Sequence, residues 1–276
     1  MTTNKLQPTT YRHWTRPGPI PPGAIEPEPG ETLDYICGNF RIFQYGNGHR
    51  YSTDDVLTAW YGTMCAPRVE RAADLGSGVG SVAIIAAWRL TGARFVTVEA
   101  QEMSVRLARK SIRYNGLESR FTVKHGDLRD PSIFAGEARF DLVLGSPPYF
   151  PRGTAIEAQH PQAVGARIEM HGSIEDYAMT AARILAPGGV FAFVCPADLA
   201  LEPTGLKLVR KRDVIFKEGE QPLIALFAAS RQDDIPPAYE TFVEPPLTIR
   251  LRDGSISQEY SAIRLSLGFP PGNTPA

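Results

Sequence analysis

The stretch from Ala72 to Leu90 constrains this chain more than any other. A short apolar strand, Ala72–Leu75, runs into Gly76-Ser77-Gly78-Val79-Gly80, and a helix-length segment follows directly. Glycines at that spacing let the backbone turn tightly and let a ligand approach where a Cβ would collide. Further strand-like runs occur at Arg94–Val98, Phe121–Lys124, Phe140–Leu144 and Val190–Cys195, interleaved with helix-length segments at Gln101–Asn115 and Gly172–Leu185. In the first of these helices Met103, Val105, Leu107, Ala108 and Ile112 recur near a 3.6-residue period. Asn115-Gly116 and Pro187-Gly188-Gly189 read as helix stops. Alternation of this kind implies a parallel sheet with helices on both faces. Ligands of such sheets bind beyond the carboxyl ends of the strands, so the loops after residues 75, 98, 125 and 145 are expected at one rim.

A chain of 276 residues suffices for one large domain or two small ones, and a hydrophobic content of 43% excludes disorder over most of its length. The longest apolar runs, Val82–Trp88 and Leu223–Ala229, are seven residues each, far below the ~18 needed to span a bilayer. No secretory signal and no membrane partner are expected. Cys37, Cys65 and Cys195 are scattered, and the five histidines show no metal-ligand spacing, which predicts a reduced, cytoplasmic, metal-free chain, expected to be a monomer. A formal charge of −1 argues mildly against a large phosphate footprint. Residues 1–30 carry seven prolines and read as an extended or disordered arm; 31–268 read as one domain, with a core at 68–230 and a C-terminal extension at 239–268, and 269–276 as a tail.

Glu99 ends the second strand 19 residues after Gly80, where an acid can accept from both hydroxyls of a ribose. A dinucleotide loop normally reads G-x-G-x-x-G and holds a pyrophosphate. Here the loop is G-x-G-x-G and is preceded by Asp74, whose charge would repel a pyrophosphate but suits an ammonium. That favours S-adenosylmethionine over a dinucleotide. Asp127, after the third strand, is placed to meet an adenine amino group or to serve as a turn residue or N-cap.

The fourth strand leads into Gly145-Ser146-Pro147-Pro148-Tyr149-Phe150. Two prolines fix φ and remove two donors, leaving a stiff loop that presents the Ser146 hydroxyl and the Pro147 carbonyl as acceptors. The lone pair of a conjugated exocyclic amine is delocalised. Two acceptors on its hydrogens favour a geometry with more lone-pair density on nitrogen. Tyr149 and Phe150 can stack on a planar base, worth about 1–3 kcal/mol per base. The alternative is a rigid turn with a packed aromatic.

From about Phe40 to Ser230 these residues resemble the class I S-adenosylmethionine-dependent methyltransferases. More narrowly, the chain is similar to the bacterial tRNA adenine N6 methyltransferases that modify the base beside the anticodon of a valine tRNA. The likeness rests on Phe40–Gln44 followed by Gly48–Asp55, on Ser146–Phe150 with the polar loop through Arg167, and on Leu247–Arg250 with Glu259-Tyr260-Ser261. It implies a doubly wound, mostly parallel seven-stranded Rossmann-like sheet whose last hairpin is antiparallel. It further implies S-adenosylmethionine held by Asp74, Gly76, Gly78, Gly80, Glu99 and Asp127, a catalytic set of Ser146, Pro147, Pro148 and Tyr149, and a tRNA partner. The family has Asn where this chain has Ser146; Ser stands there in cytosine N4 DNA methyltransferases, which keeps amine chemistry and leaves the base open.

His49-Arg50, in a glycine-flanked loop, is a candidate phosphate or substrate contact or else a solvated loop, and Ser52 or Thr53 before Asp54-Asp55 reads as an N-cap with acids in the first turn, the alternative being a direct cofactor role. Lys207, Arg210, Lys211, Arg212 and Lys217 form a basic run, as a solvated face or an RNA contact, and His160, Arg167 and His171 lie in the loop after the catalytic strand. Rival readings are glutamine methylation of a release-factor-type protein, DNA amino methylation, and a catalytically silent binding protein that keeps the fold.

Overall fold

In the computed structural model, residues 10–11, 14–147, 172–201 and 204–272 are described. Two short ribbons precede the main sheet: β1 (Thr10–Tyr11) with β2 (Trp14–Thr15), and β3 (Glu31–Tyr35) with β4 (Arg41–Tyr45). The chain continues through α1 (Thr53–Cys65), β5 (Arg71–Leu75), α2 (Ser81–Arg89), β6 (Arg94–Glu99), α3 (Glu102–Tyr114), β7 (Phe121–His125) and β8 (Phe140–Gly145). Beyond residue 171 come α4 (Ile174–Ile184), β9 (Leu185–Pro196), β10 (Leu206–Lys217), β11 (Ile224–Arg231), β12 (Phe242–Arg250) and α5 (Gln258–Ser266). None of these helices is long and apolar enough to cross a membrane.

The main sheet has the order β12-β10-β11-β9-β8-β5-β6-β7. Strands β7, β6, β5, β8 and β9 pair in parallel, while β11 runs antiparallel to both β9 and β10. The expected parallel core and antiparallel hairpin are therefore present. The strand count differs: eight rather than seven, because β12 adds in parallel to the outer side of β10.

Side-chain alternation at a period of two explains how the central strands are covered on both faces. In β9 and β11, Ala192, Val194, Ile224, Leu226 and Ala228 join the core beneath α1, α2, α3 and α5. Their neighbours Phe191, Phe193, Cys195, Ala225, Phe227 and Ala229 join the core beneath α4. On that second face Phe193 stacks between Phe191 and Phe227, with ring centroids 4.6 and 5.2 Å away.

The arm expected to be disordered is ordered from residue 14 to 30. The Asn39 side-chain amide donates to the carbonyls of Pro17 and Gly18 at 3.3 and 3.0 Å, the Arg16 guanidinium lies 3.5 Å over the Tyr35 ring, and Gly23 N donates to Tyr114 O. Glu28, with Glu31 of β3, pairs with Arg106 and Lys110 of α3. Proline supplies the extended backbone, and partners far along the chain supply the order. Three members of the basic run on β10 are paired within the chain: Arg210 with Glu244 of β12, Arg212 with Glu259 of α5, and Lys211 with Asp213.

Asn115 does more than stop α3. Buried there, its Oδ1 accepts from Arg41 N at 2.9 Å and its Nδ2 donates to Arg41 O at 2.7 Å, holding the β3–β4 ribbon to the helix. Asn115→Ala is expected to lower stability by roughly 2–3 kcal/mol, because two backbone groups lose their partners. The midpoint of urea denaturation measures it; an unchanged midpoint refutes the role.

Candidate active site

Register places the two halves of the site side by side. Leu75 of β5 pairs with Gly145 of β8, so the Gly-rich loop and Ser146-Pro147 leave the sheet as neighbours although some seventy residues separate them. Backbone bonds tie the Gly-rich loop and the loop after β7 to the end of β6: Ser77 N donates to Val98 O and Gly126 N to Glu99 O, each at 3.0 Å. At this rim lies a cleft whose walls include His49, Asp55, Asp74, Ser77, Glu99 and Ser146, with Gly76, Gly78 and Tyr177.

The glycines have distinct reasons. Gly76, at φ +59°, passes so close to α4 that a Cβ there would overlap the Tyr177 hydroxyl. Gly78, at φ +53°, has nothing within 4 Å of where its Cβ would point, so open space lies above it. Gly80 is the N-cap of α2 and packs near Ala108 of α3; it shapes the turn and does not line the cleft.

Glu99 is 6% exposed and accepts from Gly78 N at 2.8 Å through one oxygen and from Gln101 N at 2.7 Å through the other. Asp74, 1% exposed, accepts from Ala83 N at 3.1 Å in the first turn of α2. Burial first, then the nearby carboxyls of Asp55 and Glu99, hold the Asp74 proton well above the ordinary carboxylate range, while the Ala83 amide opposes this. A carboxyl whose folded-state pKa lies above its unfolded value binds its proton more tightly when folded. Its contribution to stability is present below ~4, the ordinary value, and lost as pH rises through the folded pKa. Asp74→Asn is therefore expected to raise the ligand-free thermal midpoint at neutral pH while weakening a cationic ligand. A lowered midpoint with intact binding would contradict this.

Other expected site residues fall differently. Arg50 turns away from the cleft to Asp34 and Thr32, at 2.9 and 3.1 Å, whereas its neighbour His49 lines the wall. Asp127 is forked to Arg129 beside the cleft, and the flanking Gly126 and Leu128 are the residues on its lining. Pro148, Tyr149 and Phe150, with His160, Arg167 and His171, lie outside the described residues. Asp55 and Tyr177 are lining residues that the sequence did not disclose as such. Asp55 looked like a first-turn acid, and Tyr177 is one apolar position of an amphipathic helix; only tertiary packing turns either towards the cleft.

The family model described as the methyltransferase small domain matches residues 58–221, more than half of the chain. The chain belongs to this family. Among relatives of this methyltransferase, a Porphyromonas gingivalis protein named tRNA1(Val) (adenine(37)-N6)-methyltransferase is 30% identical over 83% of this chain and 92% of its own. One of the same name from Escherichia fergusonii is 28% identical over 78% and 86%. A crystal structure of a predicted O-methyltransferase from Agrobacterium tumefaciens shares the fold, with a TM-score of 0.56 at 20% identity, covering 79% of this chain and 98% of that one.

Proposed function

We propose that this methyltransferase transfers a methyl group from S-adenosylmethionine to the exocyclic N6 amine of an adenine in tRNA near the anticodon. One observation carries the reading: Leu75 pairs with Gly145, so that the Gly-rich loop and Ser146 line one cleft. The names of the relatives support the tRNA adenine as target.

The cleft fits the cofactor on its own chemistry. Gly78 leaves space against the backbone, Glu99 brings a carboxylate to the wall, and Ser77 Oγ is buried without a hydrogen-bond partner among the described residues. Among the described lining residues there are three carboxyls and no Lys or Arg, which suits a cation and opposes a pyrophosphate. Asp74, Gly76, Gly78 and Glu99 would hold S-adenosylmethionine, with Gly80 shaping the turn and Asp127 at the adenine end. When bound, it supplies a methyl group on a sulfonium.

The chain then positions the amine. Ser146 Oγ and the Pro147 carbonyl accept its two hydrogens and aim its lone pair across the cleft, so the gain comes from orientation. Tyr149 and Phe150 would stack on the base and offset the few kcal/mol of extruding it. Protein, labelled S-adenosylmethionine and total tRNA, incubated together and digested to nucleosides, give the test. The expected product is labelled N6-methyladenosine. Label confined to protein, to DNA or to cytidine overturns the assignment.

A further inference from the structure

We propose that Asp55 selects the charged methyl donor over the spent product, acting as a second cation-facing carboxylate beside Asp74. This deepens the cofactor reading above and rests on it. Asp55 is 8% exposed, sits in the first turn of α1, and lines the same cleft as Asp74 and Glu99. Its Oδ2 accepts from Ser52 N at 2.7 Å and lies 3.5 Å from Ser52 Oγ. Both donors are neutral, so they orient the carboxylate without cancelling its charge.

Among the described residues, four other titratable groups line the cleft with it. His49 precedes α1, Asp74 ends β5, Glu99 ends β6, and Tyr177 comes from α4. Arg129, the cation beside this rim, is forked to Asp127. Burial raises the Asp55 carboxyl, and Asp55 in turn raises Asp74, as expected for two like groups sharing a poorly hydrated site. The unpartnered Ser77 hydroxyl in the same wall points independently to a polar ligand group here.

The donor carries an ammonium and a sulfonium against a single carboxylate, so it is a net cation. Methyl transfer leaves a neutral thioether, and S-adenosylhomocysteine has no net charge. Two buried carboxyls in addition to Glu99 therefore match the donor and are left under-compensated by the product. Donor binding ionises the pair and releases a proton to solvent; product binding releases less.

Calorimetric titration of the wild type, Asp55→Asn and Asp55→Glu with S-adenosylmethionine and S-adenosylhomocysteine, in two buffers of different ionisation enthalpy, tests this. Asp55→Asn is expected to weaken the donor about tenfold, leave the product within about twofold and reduce proton release; a tenfold change is ~1.4 kcal/mol. Asp55→Glu is expected to recover donor preference. The amide oxygen of Asn still accepts from Ser52 N, so the thermal midpoint of Asp55→Asn should not fall. Equal loss for both ligands, or no change in either, overturns the assignment alone and leaves Asp55 as a helix cap. A wild type that binds neither ligand overturns the cofactor reading and this one with it.

Discussion

Gly78→Ala is expected to fold and to lose cofactor binding, whereas Gly76→Ala is expected to lose the fold of the site itself. Both positions have positive φ, so any L side chain costs about 1–3 kcal/mol of backbone strain. At Gly78 that is nearly the whole structural cost, since the new methyl group meets no protein atom. It would stand where the ligand must touch the backbone, and a loss of 10²-fold or more in affinity is expected, by analogy with the cost of overpacking a fitted contact, ~1–3 kcal/mol, added to the strain. At Gly76 the methyl group overlaps the Tyr177 hydroxyl, held in a fully buried ring on α4. Strain and overpacking add, and roughly 3–5 kcal/mol of stability is expected to go. Thermal denaturation and calorimetry with S-adenosylmethionine separate the two. Equal destabilisation by both variants would show that the space above Gly78 is not a binding surface.

The second large effect is expected at Ser146. Ser146→Ala removes one of the two acceptors facing the substrate amine while leaving Pro147 and the β5–β8 register intact. Loss of one positioned transition-state hydrogen bond typically costs about 10²–10³ in kcat. About 10²-fold in kcat, with cofactor affinity unchanged, is therefore expected in single-turnover assays on tRNA. Ser146→Asn presents a carbonyl oxygen from the same backbone position and is expected to retain activity within about tenfold. If Ser146→Ala kept wild-type kcat, the amine would be held elsewhere and the catalytic assignment would fail. A rise in KM alone would point to ground-state binding instead.

Much of this architecture was readable before any coordinates. The short apolar runs and the amphipathic helix at 101–115 are local signals, written in residues a few positions apart, and they placed β5, β6, β7 and β8 within one residue of their observed bounds. The Gly-rich turn was equally legible because positive φ at short spacing needs glycine. What failed to read locally was what two distant segments do together. β9 begins at Leu185, earlier than Pro187-Gly188-Gly189 suggested, because Leu185 pairs with Phe140 and the intervening residues are accommodated by an irregular register. Arg50 looked like a phosphate contact until Asp34 and Thr32 on β3 took it.

The amino-acid sequence alone determined that this chain builds a strand, a Gly-rich turn and a helix, and that a proline-stiffened segment follows Ser146, since both depend on backbone restrictions intrinsic to Gly and Pro. Tertiary structure decided that Asp55, Asp74 and Glu99 share one poorly hydrated wall, that Tyr177 wedges beneath Gly76, and that residues 14–30 are pinned rather than loose. Those outcomes depend on burial and Coulomb interactions between groups far apart in the chain, and only the closed sheet fixes their distances.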